Sequence, residues 1–217
     1  MMHEAEMHDW NSFITLTYDD EHLPYGGSLN KEDFKNFMKK LRREIYPRRV
    51  SYYHCGEYGS TCPDHGIEDC YFCGPLQRPH YHAVLFGFQF PDKESVGDRD
   101  GQPVYTSELL SHCWSKGLHE IGTVTFDSCG YVARYVLKKQ TGRKAEDYYQ
   151  KYDWKTGQLH KVEPEYATMS LRPAIGKSWL EEFHEDVYPE DELPIPERGV
   201  YGSPPRYYDK VVSEQWG

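Results

Sequence analysis

The most apolar runs in this 217-residue chain, Phe13-Ile14-Thr15-Leu16-Thr17-Tyr18 and Ala83-Val84-Leu85-Phe86-Gly87-Phe88, are each only six residues long. A membrane-crossing helix needs roughly 18 apolar residues, so the chain is expected to be soluble, with no membrane partner; six residues suit a buried strand. Residues 12–19 are rich in β-branched and aromatic side chains and stop at the turn-like Asp19-Asp20. That segment and residues 50–58, 80–88 and 166–171 read as strands, with 123–126 a weaker one. Phe34, Phe37, Met38, Leu41 and Ile45 recur at helical spacing between a candidate cap, Asn30, and the breaker Pro47. This predicts an amphipathic helix whose apolar stripe packs on a sheet. Residues 131–139 also have helical spacing, and Trp179, Leu180, Phe183 and Val187 mark a further stripe. Helices too few for strict βαβ alternation point to an α+β fold, an antiparallel sheet with helices on one face. From residue 189 onward prolines and acids dominate, which divides the chain into a domain over 1–188 and a Pro-rich acidic C-terminal tail over 189–217, extended or wrapped around the domain.

Aromatic side chains make up 15% of the chain, enough bulky core material to exclude disorder throughout. The formal net charge of −10 argues against nucleic-acid binding, which rests on Lys and Arg neutralising phosphates. The charge is segregated, however. Residues 31–49 hold eight bases against three acids and residues 131–151 six against two, whereas residues 1–22 hold six acids and no base. Residues 179–200 hold eight acids and one base. Charge runs can also be plain solvated faces. The first ten residues carry three acids, no Lys or Arg and no apolar stretch, unlike a signal peptide, so the six cysteines are expected to be reduced thiols or metal ligands.

Three constellations carry chemistry. In Arg78-Pro79-His80-Tyr81-His82 the histidines stand at i and i+2 of a strand, so they share a face and can hold one metal ion; an ordinary histidine pair is the commoner explanation of such spacing. In Tyr131-Val132-Ala133-Arg134-Tyr135-Val136-Leu137-Lys138-Lys139 a helix puts both phenols on one face one turn apart, extended by Lys138 and Lys139, although tyrosines so spaced are usually packing residues and the chain has 19. A tyrosine with a pKa near 10 is a poor nucleophile until a metal polarises the electrophile. In Cys55-Gly56-Glu57-Tyr58-Gly59, Glu57 can add an oxygen ligand if its strand neighbours the histidines; otherwise it is an exposed strand residue. Two imidazoles and a carboxylate leave open positions that suit Mg²⁺ or Mn²⁺ acting on a phosphodiester.

In their order, Phe13 to Tyr18, then His80-Tyr81-His82, then Tyr131 and Tyr135 with Lys138-Lys139, these segments resemble the three motifs of HUH endonucleases, the rolling-circle replication initiators. More narrowly, the chain is similar to the replication initiators of microviruses, the gokushovirus branch in particular. That likeness rests on Thr15-Leu16-Thr17-Tyr18-Asp19-Asp20-Glu21-His22-Leu23-Pro24, Cys55 to Gly59, Arg78 to His82, Tyr131 to Val136, Met169-Ser170-x-Arg172-Pro173-x-Ile175-Gly176 and Pro205-Arg206-Tyr207-Tyr208-Asp209, and spans residues 13–209. The resemblance implies the HUH endonuclease fold, a sheet of about five antiparallel strands with flanking helices, the histidines central and the tyrosines on a nearby helix. It further implies that a divalent ion on His80, His82 and Glu57 polarises a phosphate of single-stranded origin DNA in the bacterial host cytoplasm. One tyrosine attacks to form a 5′-phosphotyrosine and the second completes cleavage and religation. A host polymerase extends the free 3′-OH, with a host helicase as further partner. DNA is expected to meet two basic surfaces, Lys35, Lys39 and Arg42 on one helix and Arg134, Lys138 and Lys139 on the other, with the acidic tail away from them or competing for them.

The chain departs from the family pattern in residues 60–76, a longer connection in which Cys62-x2-His65 and Cys70-x2-Cys73 form two ligand pairs four residues apart. They fit a tetrahedral Zn²⁺ knuckle, or an exposed loop with reduced thiols. The chain also begins almost directly at its first strand, where the family pattern leads one to expect an N-terminal extension. Two other readings stand beside the initiator: a relaxase or a plasmid or transposon enzyme of the same superfamily, and a non-catalytic nucleic-acid-binding module with a zinc knuckle.

Overall fold

The computed structural model describes residues 1–62, 65–68, 74–153, 156–188 and 190–216, with the side chains of residues 135–138 and 144 outside the description. The elements in chain order are α1 (Met2–Glu6), β1 (Asn11–Tyr18), a 3-10 turn (Tyr25–Gly27), α2 (Lys31–Glu44), β2 (Ser51–Tyr58), β3 (Pro79–Phe86), β4 (Glu94–Arg99) and β5 (Gln102–Thr106). There follow α3 (Glu108–Cys113), β6 (Gly117–Gly122), α4 (Phe126–Lys138), α5 (Arg143–Tyr148), β7 (Gln150–Asp153), β8 (Gln158–Lys161) and β9 (Tyr166–Met169). The last four are α6 (Lys177–Val187), β10 (Leu193–Ile195), β11 (Val200–Gly202) and α7 (Arg206–Gln215).

The main sheet is antiparallel in the order β4-β5-β6-β1-β3-β2-β9. It has seven strands among the described residues, not about five. The β4–β5 hairpin, turned at Asp100-Gly101, has no buried face on β4, so it carries none of the alternation that reveals a strand. The strand expected at 123–126 lies earlier, at β6. Thr125 leaves the sheet instead to cap α4, its Oγ1 accepting from Ser128 N at 3.2 Å while Ser128 Oγ accepts from Thr125 N at 2.8 Å.

Strand alternation gives the sheet two distinct faces. Ile14, Leu16, Tyr18, Tyr81, Ala83 and Leu85 pack under Phe34, Phe37, Met38 and Leu41 of α2, with Leu110 and Trp114 beside them. Four large side chains buried along α2 supply on the order of 1.5–3 kcal/mol each. Asn30 Oδ1 caps the helix by accepting from Glu32 N at 3.1 Å. The buried Tyr81 hydroxyl fixes the same turn, accepting from Asn30 N at 2.9 Å and donating to Asn30 O at 2.7 Å. The opposite face carries Cys55, Val84 and Phe86 and is covered by Cys129 and Val132 of α4. Helices therefore lie on both faces rather than one, because α4 covers only part of its face with a stripe too sparse to announce a packing partner.

The residues after 189 form a hairpin and a helix rather than an extended tail. Leu193, Tyr208 and Val211 pack with Trp179, Leu180 and Val187 of α6. His3 stacks on Trp179 at 3.9 Å and Glu4 Oε2 accepts from Gly176 N at 2.7 Å, so the N-terminus joins the same cluster. Nor does this segment lie away from α4. Glu197 Oε2 accepts from Phe126 N at 2.8 Å and Arg198 pairs with Asp127 at 2.5 Å.

His54 is buried under α2, its ring stacked on Phe34 at 3.6 Å and its Nδ1 accepting from Thr168 Oγ1 at 2.8 Å. Burial pushes its pKa down to about 3, below the 6.5 of a free imidazole. The unfolded chain thus binds the extra proton between those values, and stability present above pH 6.5 is lost as pH falls. Denaturant titrations from about pH 7 to 4 are expected to show the loss, up to about 1.4 kcal/mol per pH unit from this one group, with a shallower slope in His54→Phe.

Candidate active site

The register of three central strands assembles the site. Thr17 of β1 and Glu57 of β2 flank His80 of β3, and Thr15 and Cys55 flank His82, so all project from the face that α4 partly covers. Thr17 Oγ1 lies 2.9 Å from His80 Nδ1 and Thr15 Oγ1 lies 3.0 Å from His82 Nδ1. A hydroxyl can donate or accept, so each threonine holds its ring in either tautomer and leaves Nε2 for other work.

At His82 that work is a hydrogen bond from Nε2 to Glu57 Oε1 at 2.6 Å, both groups buried. The same carboxylate oxygen accepts from the Tyr131 hydroxyl at 3.1 Å, and the tyrosine ring stands edge-on to His82 with centroids 5.0 Å apart. Tyr131 therefore reaches the histidine face from α4 as expected. His80 is pushed down to about 4, first by burial and then by His82 and Arg78, so it is neutral at about pH 7 and its lone pair is free. Beside it Gly59 leaves room that a side chain would fill: a Cβ there would sit 2.9 Å from His80 Nε2.

These groups line a cavity of about 430 Å³ with Thr15, Thr17, Thr61, Arg99 and Glu120. Two imidazoles and a carboxylate on one wall fit a divalent ion in donor type. Among the described residues no three His, Cys, Asp or Glu side chains already stand at mutual ligand spacing, and the His80 and His82 rings are 6.3 Å apart. Binding an ion would replace the proton that His82 shares with Glu57.

The other expected site residues are distributed unevenly. Tyr135 lies one turn beyond Tyr131 in α4, but its side chain and that of Lys138 are outside the described residues. Arg134 and Lys139 are exposed on or just after α4. Lys35, Lys39 and Arg42 are not brought to this cavity, because α2 packs on the opposite face of the sheet. Lys35 pairs with Glu32 at 3.0 Å, and Arg42 donates to Val50 O at 3.2 Å. Of the Cys/His knuckle, Cys62 and His65 are in contact, Sγ to Nδ1 3.3 Å, while Cys70 and Cys73 lie outside the described residues.

Sequence reading gave no role to Thr15, Thr17, Gly59 or Arg99. The period-two threonines of β1 were a readable signal, since i and i+2 share a face with the histidines of a neighbouring strand. Arg99 offered none. It sits in the patternless β4 and closes on Glu120 through two bonds of 2.7 and 2.8 Å at the cavity rim.

Comparison with known proteins adds a family. The family model for replication-associated proteins of the ORF2 type matches residues 11–140. The chain is 36% identical over 226 residues to "Replication-associated protein VP4" of Bdellovibrio phage phiMH2K, covering 99% of this chain and 62% of that protein. It is 34% identical over 220 residues to "Replication-associated protein ORF2" of Spiroplasma virus 4, covering 96% and 59%. With "Replication-associated protein ORF4" of Chlamydia phage 1 it shares 30% identity over 144 residues, covering 63% and 32%. The chain thus spans about three-fifths of the first two relatives. No solved structure matches it.

Gly59→Ala should crowd His80 Nε2 while leaving the sheet intact. The expected result is a Mn²⁺ affinity, measured by calorimetric titration, weakened about tenfold or more (about 1.4 kcal/mol) with little change in unfolding free energy. An unchanged affinity would remove His80 Nε2 from the ligand set.

Proposed function

The chain belongs to the ORF2 family of replication-associated proteins, and on that footing we propose that it is a HUH-type nickase and ligase that initiates rolling-circle replication on single-stranded origin DNA. The observation that carries this reading is the contact of Tyr131 with Glu57, itself bonded to His82, within one cavity. A phenol, a carboxylate and neutral imidazoles in one place are what phosphoryl transfer through tyrosine requires.

In this reading His80, His82 and Glu57 hold Mg²⁺ or Mn²⁺, whose Lewis acidity draws charge from the phosphate oxygens. Every other part falls to the chain. A carboxylate has two oxygens, so Glu57 can serve both the ion and the phenol. It orients Tyr131 and takes its proton as the phenolic oxygen bonds to phosphorus. The bond from phosphorus to the 3′ oxygen breaks, the proton passes to that oxygen, and the products are a 5′-phosphotyrosine and a free 3′-OH. Tyr135 repeats the reaction on the regenerated origin, and the released 3′-OH attacks the first phosphotyrosine to close the circle. Both phenols stand on one helix, so neither step needs the domain to rearrange.

Arg99 is the single Lys or Arg among the described residues lining this cavity, and Glu120 holds it extended over the rim. It is the group best placed to receive a flanking phosphate, with Arg134 and Lys139 continuing the path along α4. Extension of the 3′-OH is assigned to a host polymerase and strand opening to a host helicase, in the host cytoplasm.

Incubation with labelled single-stranded origin DNA and Mn²⁺ is expected to give a covalent adduct that persists in Tyr131→Phe and in Tyr135→Phe and vanishes in the double variant. No adduct with any divalent ion would instead favour a binding module without catalysis. Arg99→Ala should weaken single-stranded DNA binding several-fold and lower the magnitude of its salt slope by about 1, whereas Lys39→Ala, on the far face, should leave both nearly unchanged.

A further inference from the structure

The connection between β2 and β3 contains a turn built for a ligand. The β2–β3 ladder continues past its strands, Gly59 N donating to Arg78 O and Gln77 N to Gly59 O, both at 3.0 Å. Beyond it Thr61 bridges Glu68 in antiparallel register, Cys62 N donates to Ile67 O at 2.9 Å and Gly66 N to Cys62 O at 2.7 Å. This tight turn folds His65 back onto the fully buried Cys62, with Sγ 3.3 Å from Nδ1. Zinc bonds of about 2.3 Å to sulfur and about 2.0–2.1 Å to nitrogen, at a tetrahedral angle, would place those two atoms roughly 3.5 Å apart. The pair therefore stands within a few tenths of an ångström of where a shared zinc ion would put it.

Two further features point the same way. Gly66 follows His65 and Gly74 follows Cys73, and both have positive φ, +68° and +74°, with open space where a Cβ would be. Each ligand pair is thus followed by a residue chosen for its backbone, turning the chain back after the second ligand. The turn also lacks apolar support, since Ile67 is 51% exposed. Such a loop needs a cross-link if it is to hold one shape.

We propose that Cys62, His65, Cys70 and Cys73 bind one structural Zn²⁺, with the last two, outside the described residues, entering through their two-residue spacing and their place four residues after His65. Three thiols give up three protons to become thiolates, and the neutral imidazole completes a closed Cys₃His set. Ser60 and Thr61 line the cavity that holds His80 and His82, so the zinc would fix one wall of that cavity without entering it.

The test needs no nicking activity and so stands apart from the preceding reading. The full chain, purified and dialysed against excess Mg²⁺, is expected to retain one zinc per chain by elemental analysis. Replacement by Co²⁺ should give thiolate-to-metal charge-transfer absorption with tetrahedral ligand-field bands. The zinc should survive in the His80→Ala, His82→Ala double variant and be lost in Cys70→Ser, Cys73→Ser. Zinc absent from the wild-type chain would overturn the proposal, as would zinc lost with the histidines but kept without the cysteines. Should the cysteine variant fail to fold, the Co²⁺ spectrum of the wild-type chain decides alone, because only thiolate ligands give the charge-transfer band.

Discussion

Everything in this molecule depends on the register of β3 between β1 and β2. Tyr81, Ala83 and Leu85 enter the core under α2, while His80, His82 and Val84, interleaved with them, face α4. A slip of one residue would drive two imidazoles into the core and put the core side chains on the open face. Register is therefore held by strong devices on both sides. The Tyr81 hydroxyl is tied to the Asn30 backbone and to Tyr18 at 2.8 Å, and on the other face two threonines grip the two imidazoles. The packing that stabilises the sheet and the polar contacts that shape the cavity are two readouts of one alignment.

The polar cluster on the open face is economical in charge. His80 is kept neutral by burial, and the Glu57 carboxylate is satisfied by His82 and Tyr131. Buried ionisable groups are tolerated when their hydrogen bonds are complete. The cluster also couples the sheet to α4, whose first turn is held by its own capping box and by Glu197 and Arg198 from the C-terminal segment. The acidic C-terminal segment thereby supports the helix that carries Tyr131, a structural role distinct from repelling DNA.

The net charge of −10 is resolved by geometry. The basic stripe of α2 and the basic α4 lie on opposite faces of the sheet, so they do not form one continuous surface. At the cavity itself positive charge is sparse, with Arg99 neutralised by Glu120. A site of that kind holds a phosphate chain by local contacts and keeps long-range, sequence-independent attraction small.

The central strands, the α2 helix with its Asn30 cap, the shared face of His80 and His82, and the place of Tyr131 on a helix could all be read from residue order, because each follows from a local period of about two or 3.6. Arrangement across the sheet was not legible in that way. The β4–β5 hairpin buries no face on β4 and so leaves no pattern, and the thin apolar stripe of α4 gave no sign that it would cover the second face. The fold of the C-terminal segment depends on Trp179, Leu180 and His3 from distant parts of the chain. The sequence by itself determined which residues are suited to hold an ion, attack a phosphate or fill a core. Only the tertiary structure decided which of them meet: Glu57 with His82 and Tyr131, Arg99 at the rim, and Lys35, Lys39 and Arg42 on the far side. Periodicity fixes the face of an element, whereas proximity between elements is set by long-range packing.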